Sequence, residues 1–154
     1  MSDEPRLNAT AAPRSLQALL TFSRNAAPSI EPRLRELINL RVSQINGCAF
    51  CMDMHAAALG RSGVEQRILN VVAGWREAQR LFNDRERAAL AWAESVNAVP
   101  HRTPSDEEFE AMRKHFSDQE IAEITIAIGA IRTFNMVNAS FHTPVPETPY
   151  VAAE

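Results

Sequence analysis

The chain has 154 residues, 45% of them hydrophobic, enough to bury a core in one domain without disulfide staples. Its 16 Lys+Arg against 19 Asp+Glu leave a net charge of −3, which argues against nucleic acid as a partner, and no apolar run approaches the roughly 20 residues of a membrane span. Only 5 Gly and 9 Pro argue against a turn-rich all-β fold.

Residues 1–14 are polar, lack the apolar centre of a secretory signal, and are expected to form a flexible N-terminal segment. From there the apolar residues recur at helical spacing. Ser15–Arg24 carries Leu16, Leu19 and Leu20; Pro32–Ile45 carries Leu34, Leu37, Ile38, Val42 and Ile45. Val64–Gly74 carries Ile68, Val71 and Val72, with Trp75 extending the face. Asp84–Val99 carries Ala89, Trp92, Ala93 and Val96, and Asp106–Phe116 carries Phe109, Met112 and Phe116. The stretch from Asp118 to about Phe141 carries Ile121, Ile124, Ile128 and Ile131, with Gly129 expected to permit close helix–helix contact. Ser62/Glu65, Asn83/Glu86, Ser105/Glu108 and Ser117/Glu120 each read as a capping box at a helix start. Pro144, Pro146 and Pro149 predict an extended tail over residues 143–154. The expectation is an all-α, single-domain bundle of about six to seven helices over residues 15–142.

The chemistry concentrates in Asn46-Gly-Cys-Ala-Phe-Cys-Met-Asp-Met-His55. Asn46 is expected to cap the helix, with Gly47 supplying a sharp turn and Cys48 falling in the first turn. At about 100° per residue, Cys48, Cys51 and His55 fall within an arc of about 60°. Helix N-terminal N–H groups favour a thiolate, and His55 can move a proton near neutral pH. Three readings compete: inert structural cysteines, a zinc site completed by Glu36 or another His, and thiol–disulfide chemistry. The first does not explain a second Cys and a His on one face, and the second lacks an evident fourth ligand. Redox chemistry is therefore favoured. A thioredoxin-type context needs a βαβ unit, which the preceding amphipathic helix is not.

The stretch Glu36-Leu-Ile-Asn-Leu-Arg-Val-Ser-Gln-Ile-Asn-Gly-Cys-Ala-Phe-Cys-Met-Asp-Met-His55 resembles the core of the alkylhydroperoxidase D-like proteins, within the carboxymuconolactone decarboxylase superfamily. Ala127-Ile-Gly-Ala-Ile-Arg-Thr-Phe-Asn-Met-Val-Asn138 is similar to the last core helix of short members. The resemblance covers roughly Leu16 to Pro144. It implies that Cys51 is the peroxidatic cysteine, Cys48 the resolving one, His55 the activating histidine and Glu36 part of a proton relay. Phe50 departs from the archetype, which has a second histidine there.

The implied function is a thiol-dependent hydroperoxide reductase that needs no cofactor and is recharged by an external dithiol or dihydrolipoyl-type donor. A non-redox lyase like carboxymuconolactone decarboxylase, or a zinc-binding or structural module, is the alternative. The family further implies a homo-oligomer, trimer or hexamer. From the missing signals the expected compartment is the cytosol, and neither nucleic acid nor membrane is expected as a partner. Of the remaining candidates, His101 is expected in a loop, His115 at a helix C-terminus and His142 past the last helix. Trp75 and Trp92 are expected in the core or an interface, and Asp53 on a solvated face. The positions of Arg132, Asn135 and Asn138 are not set by the pattern.

Overall fold

A computed structural model describes residues 4–151. Along them run seven α-helices: α1 (Pro13–Asn25), α2 (Pro32–Asn46), α3 (Ala49–Arg61), α4 (Gln66–Val71), α5 (Asp84–Asn97), α6 (Asp106–Arg113) and α7 (Asp118–Phe141). Single 3₁₀ turns at Ala9–Ala11, Val72–Gly74 and Gln79–Leu81 complete the regular structure, and no strand occurs among the described residues. The first three residues of the expected N-terminal segment and the last three of the tail lie outside the described residues. The backbone N–H of Arg6 donates to the Phe141 carbonyl (2.8 Å), tying the N-terminal segment to the end of α7.

Helix starts follow the capping chemistry at three of the four expected boxes. Asn83, Ser105 and Ser117 each accept from the backbone N–H three residues on, and Glu86, Glu108 and Glu120 reach back to the cap N–H. Ser62 behaves differently. It closes α3, its N–H returning to the Ala58 carbonyl (3.1 Å) and its hydroxyl donating to the Leu59 carbonyl (2.8 Å). Gly63, at φ +88°, then turns the chain, and the Val64 N–H bonds the Leu59 carbonyl (3.0 Å). The next helix therefore starts only at Gln66, with Glu65 as its cap and no side-chain capping bond.

The bundle is organised about α2, which packs on α3, α5 and α7. Leu34, Ile38 and Val42 face one core cluster, shared with Cys51, Trp92, Ile124, Ile128 and Ile131. Leu37 and Leu40 face the other, shared with Leu59, Val72, Trp75, Phe82 and Leu90. The single stripe read from the sequence is thus two faces of a central helix, and Ile45, in its last turn, is exposed. Both tryptophans are core residues whose indole N–H groups are satisfied, Trp75 by Glu94 (2.9 Å) and Trp92 by Thr125 (2.9 Å).

The expectation for Gly129 is corrected. A Cβ there would meet nothing within 4 Å, and the residue is exposed. The buried side of α7 is formed by Ile121, Ile124, Ile128 and Ile131, so Gly129 belongs with Ile126 and Met136 on the outward side.

Candidate functional site

The cysteine segment sits where α2 hands over to α3. Asn46 ends α2, and Gly47 adopts the left-handed conformation (φ +71°) that an L side chain rarely takes. Asn46 is therefore not the cap of the next helix. Cys48 is, its Sγ accepting the Cys51 N–H at 3.3 Å, while its own N–H bonds back to the Ser43 carbonyl at 3.1 Å. The sequence misplaces the cap because Asn and Gly suit either end of the turn, and only the path of the chain decides between them.

Freed from capping, Asn46 enters a side-chain amide lattice. Its Nδ2 donates to Asn97 Oδ1 (3.1 Å) and to Asn135 Oδ1 (3.0 Å), and Asn97 Nδ2 donates back to Asn46 Oδ1 (3.0 Å). Asn135 Nδ2 donates to Ser43 Oγ (3.0 Å). The ends of α2 and α5 and the C-terminal third of α7 are thereby locked together beside the Cys48 turn.

Within this frame Cys48 and Cys51 are joined as a disulfide, with Cα atoms 5.4 Å apart. The pair is buried, with Cys48 3% and Cys51 0% exposed, and His55 one turn on is 6% exposed. From α2, Glu36 Oε2 meets His55 Nδ1 at 2.7 Å. A surface carboxylate would be the default for Glu36 on periodicity alone, but its side chain is only 23% exposed. An ionised carboxylate can only accept, so Nδ1 carries the hydrogen, and in the neutral ring Nε2 holds the lone pair. That Nε2 is buried and has no hydrogen-bond partner among the described residues. On the other side, Asn138 Nδ2 of α7 lies 3.4 Å from Cys51 Sγ.

The structure thus brings Cys48, Cys51, His55 and Glu36 into one site. It adds Asn138 and the amide lattice, which the cysteine motif does not reveal. Asn135 and Asn138 follow buried Ile128 and Ile131, respectively, by seven residues on α7, and that spacing is the signal that both amides turn inward and need partners there. Phe50, next to Cys51, packs against Tyr150 of the Pro-rich tail with ring centroids 5.9 Å apart. Arg132 donates to the Val99 carbonyl (2.8 Å). His101 is exposed, His115 follows α6, and His142 closes α7 at φ +53°. Among the described residues, no three His, Cys, Asp or Glu side chains are grouped to hold a metal ion.

An all-α bundle with a Cys-x-x-Cys at a helix start, backed by a Glu–His pair from two helices, defines an alkylhydroperoxidase D-like protein. The chain belongs to the carboxymuconolactone decarboxylase family, whose family model matches residues 13–95. It is 29% identical over 128 residues to the uncharacterised protein YdfG of Bacillus subtilis (strain 168), a match covering 82% of this chain and 86% of that one. A protein of unknown function from Agrobacterium tumefaciens, proposed to be the antioxidant defence protein AhpD, superposes with TM-score 0.88 at 37% identity. That alignment covers 93% of this chain and 99% of the other. The debrominase Bmp8, solved as a cysteine-to-alanine variant in complex with 2,3,4-tribromopyrrole, shares the fold with TM-score 0.77 at 22% identity, over 90% of this chain and 74% of the other. No helix among the described residues is long and apolar enough to cross a membrane.

Proposed function

We propose that the protein is a thiol-dependent hydroperoxide reductase in which Cys51 is the attacking sulfur, Cys48 the resolving one, and Glu36 and His55 the proton relay. The observation that carries this reading is the 2.7 Å Glu36–His55 bond, which leaves a buried, lone-pair-bearing Nε2 one helical turn beyond Cys51.

The cycle begins with the reduced pair. His55 Nε2 takes the Cys51 proton, directly or through a water, and the Glu36 carboxylate stabilises the imidazolium that forms. The thiolate attacks the distal oxygen of a hydroperoxide, the O–O bond breaks, and Cys51 becomes a sulfenic acid. The leaving alkoxide takes the proton back from His55 and departs as an alcohol, or as water from hydrogen peroxide. The Cys48 thiol then displaces the sulfenic hydroxyl, forming the disulfide and releasing one water. An external dithiol reduces the disulfide by exchange and leaves as its own disulfide. Phe50 has no proton to offer, so the relay consists of Glu36 and His55 alone.

The cysteine pair favours this over non-redox lyase chemistry, which has no use for two adjacent sulfurs. Mass spectrometry of the thiols before and after stoichiometric peroxide tests it. Reduced wild type is expected to yield a Cys48–Cys51 crosslink, Cys48→Ser to stop at a Cys51 sulfenic acid, and Cys51→Ser to consume no peroxide. Full peroxide turnover by Cys51→Ser, or lactone-acid turnover by a variant lacking both cysteines, would overturn the proposal.

A further inference from the structure

In the reduced pair, two sulfurs compete for one negative charge, and the position of the pair in α3 does not favour the sulfur that the proposed cycle uses. Cys48 is the cap residue: its Sγ accepts a backbone N–H at 3.3 Å and sits at the positive end of the helix. Cys51 lies a turn inside, and both sulfurs are buried in the cluster that holds Val42, Ile128 and Ile131, so burial disfavours either thiolate and does not rank them. By its cap position Cys48 would ionise first.

A donor from α7 reverses the order. We infer that the side-chain amide of Asn138, 3.4 Å from Cys51 Sγ, selects Cys51 as the sulfur that ionises. A disulfide sulfur or a thiolate can only accept, so the amide nitrogen is the atom that faces it. A hydrogen bond to the charged form of an acid favours ionisation, most strongly where water is excluded. The stretch of α7 that carries the donor is anchored on both sides of it. One turn earlier, Asn135 is anchored to Ser43 and Asn46. Within the same turn, the Asn138 carbonyl accepts the Thr143 N–H (3.0 Å) that closes α7. The ionisable groups about Cys51 are Cys48, bonded to it, His55 one turn along α3, and Glu36 reaching in from α2 through His55. From α7 comes the neutral Asn138 amide.

This assignment rests on reading the pair as redox-active, but its test needs no peroxide. The rate of iodoacetamide alkylation at each cysteine of the reduced protein is followed by peptide mass spectrometry over roughly pH 5–10, the range spanning ordinary and activated thiols. In wild type, Cys51 is expected to have the lower midpoint. Asn138→Leu, which removes the donor at similar volume, should raise the Cys51 midpoint by about one pH unit, roughly tenfold less thiolate below it, and lower that of Cys48, which then ionises without a charged neighbour. Asn138→Asp should raise it further, and Asn138→Gln should restore part of the shift. A Cys48 midpoint below that of Cys51 in wild type overturns the inference, and so do Leu and Asp variants that melt as folded proteins with an unmoved Cys51 midpoint. Shifted midpoints in a protein that consumes no peroxide would instead sink the peroxidase reading and leave this one standing.

Discussion

Replacing Asn135 with Leu tests how far the amide lattice holds the cysteine turn. Asn135 is 2% exposed and uses both ends of its side chain, donating to Ser43 Oγ (3.0 Å) and accepting from Asn46 Nδ2 (3.0 Å). Leu is close in volume, so little cavity arises and the loss is chiefly polar. Two neutral hydrogen bonds contribute about 1 kcal/mol each. A second cost comes from the partners left behind: fully buried Ser43 Oγ loses its donor, while Asn46 keeps Asn97. One unsatisfied buried group adds about 1–2 kcal/mol, so the total is about 3–4 kcal/mol. For a chain of this size that is a fall of about 6–16 °C in Tm. Urea unfolding at fixed protein concentration and fixed disulfide state measures it. Adding Ser43→Ala to Asn135→Leu should recover about 1 kcal/mol relative to additivity, because it removes the orphaned hydroxyl. A loss below about 0.5 kcal/mol, or strictly additive losses in the double variant, would refute the reasoning.

Two further outcomes follow from the polar framework. Burial pushes the Glu94 carboxyl up, but hydrogen bonds from Trp75, Arg41 and Arg76 outweigh it and hold the group below the usual carboxylate range. The folded carboxyl is then harder to protonate than the unfolded one, so its stabilisation is full above about pH 4.5 and is lost as pH falls through the lower folded value. Glu94→Gln should cost about 1–2 kcal/mol at neutral pH, with the gap to wild type closing in acid; a gap that stays constant in urea midpoints across that range contradicts it. At the helix ends, Ser117→Ala should cost about 1 kcal/mol because it breaks a complete capping box. Ser62→Ala should cost only a few tenths, since Ser62 is the C-cap of α3 and the Leu59 carbonyl that its hydroxyl meets keeps the backbone N–H groups of Ser62 and Val64; equal losses in thermal melts would show that the two serines do the same work.

The helices were legible because each one carries its own period. Ile121, Ile124, Ile128 and Ile131 turn to one side of α7 whatever surrounds them, and the Asn83, Ser105 and Ser117 caps act within three residues. Local spacing also put Cys48, Cys51 and His55 on neighbouring turns, since residues three and four apart meet on any helix. Glu36 depended on resemblance, because nothing within α2 says that a carboxylate 19 positions from His55 will touch it.

Tertiary structure alone settled the matters that lie between helices. Asn46-Gly47 and Ser62-Gly63 are the same chemistry in sequence, a small polar residue before a glycine, and both proved to end a helix where a start was expected. The two faces of α2, the outward turn of Gly129, the polar lattice of Ser43, Asn46, Asn97 and Asn135, and the Asn138 amide beside Cys51 each require a partner from a distant part of the chain. A side chain's period says which way it points along its own helix. What it meets there is decided by how the helices cross, and that depends on packing distributed over the whole core.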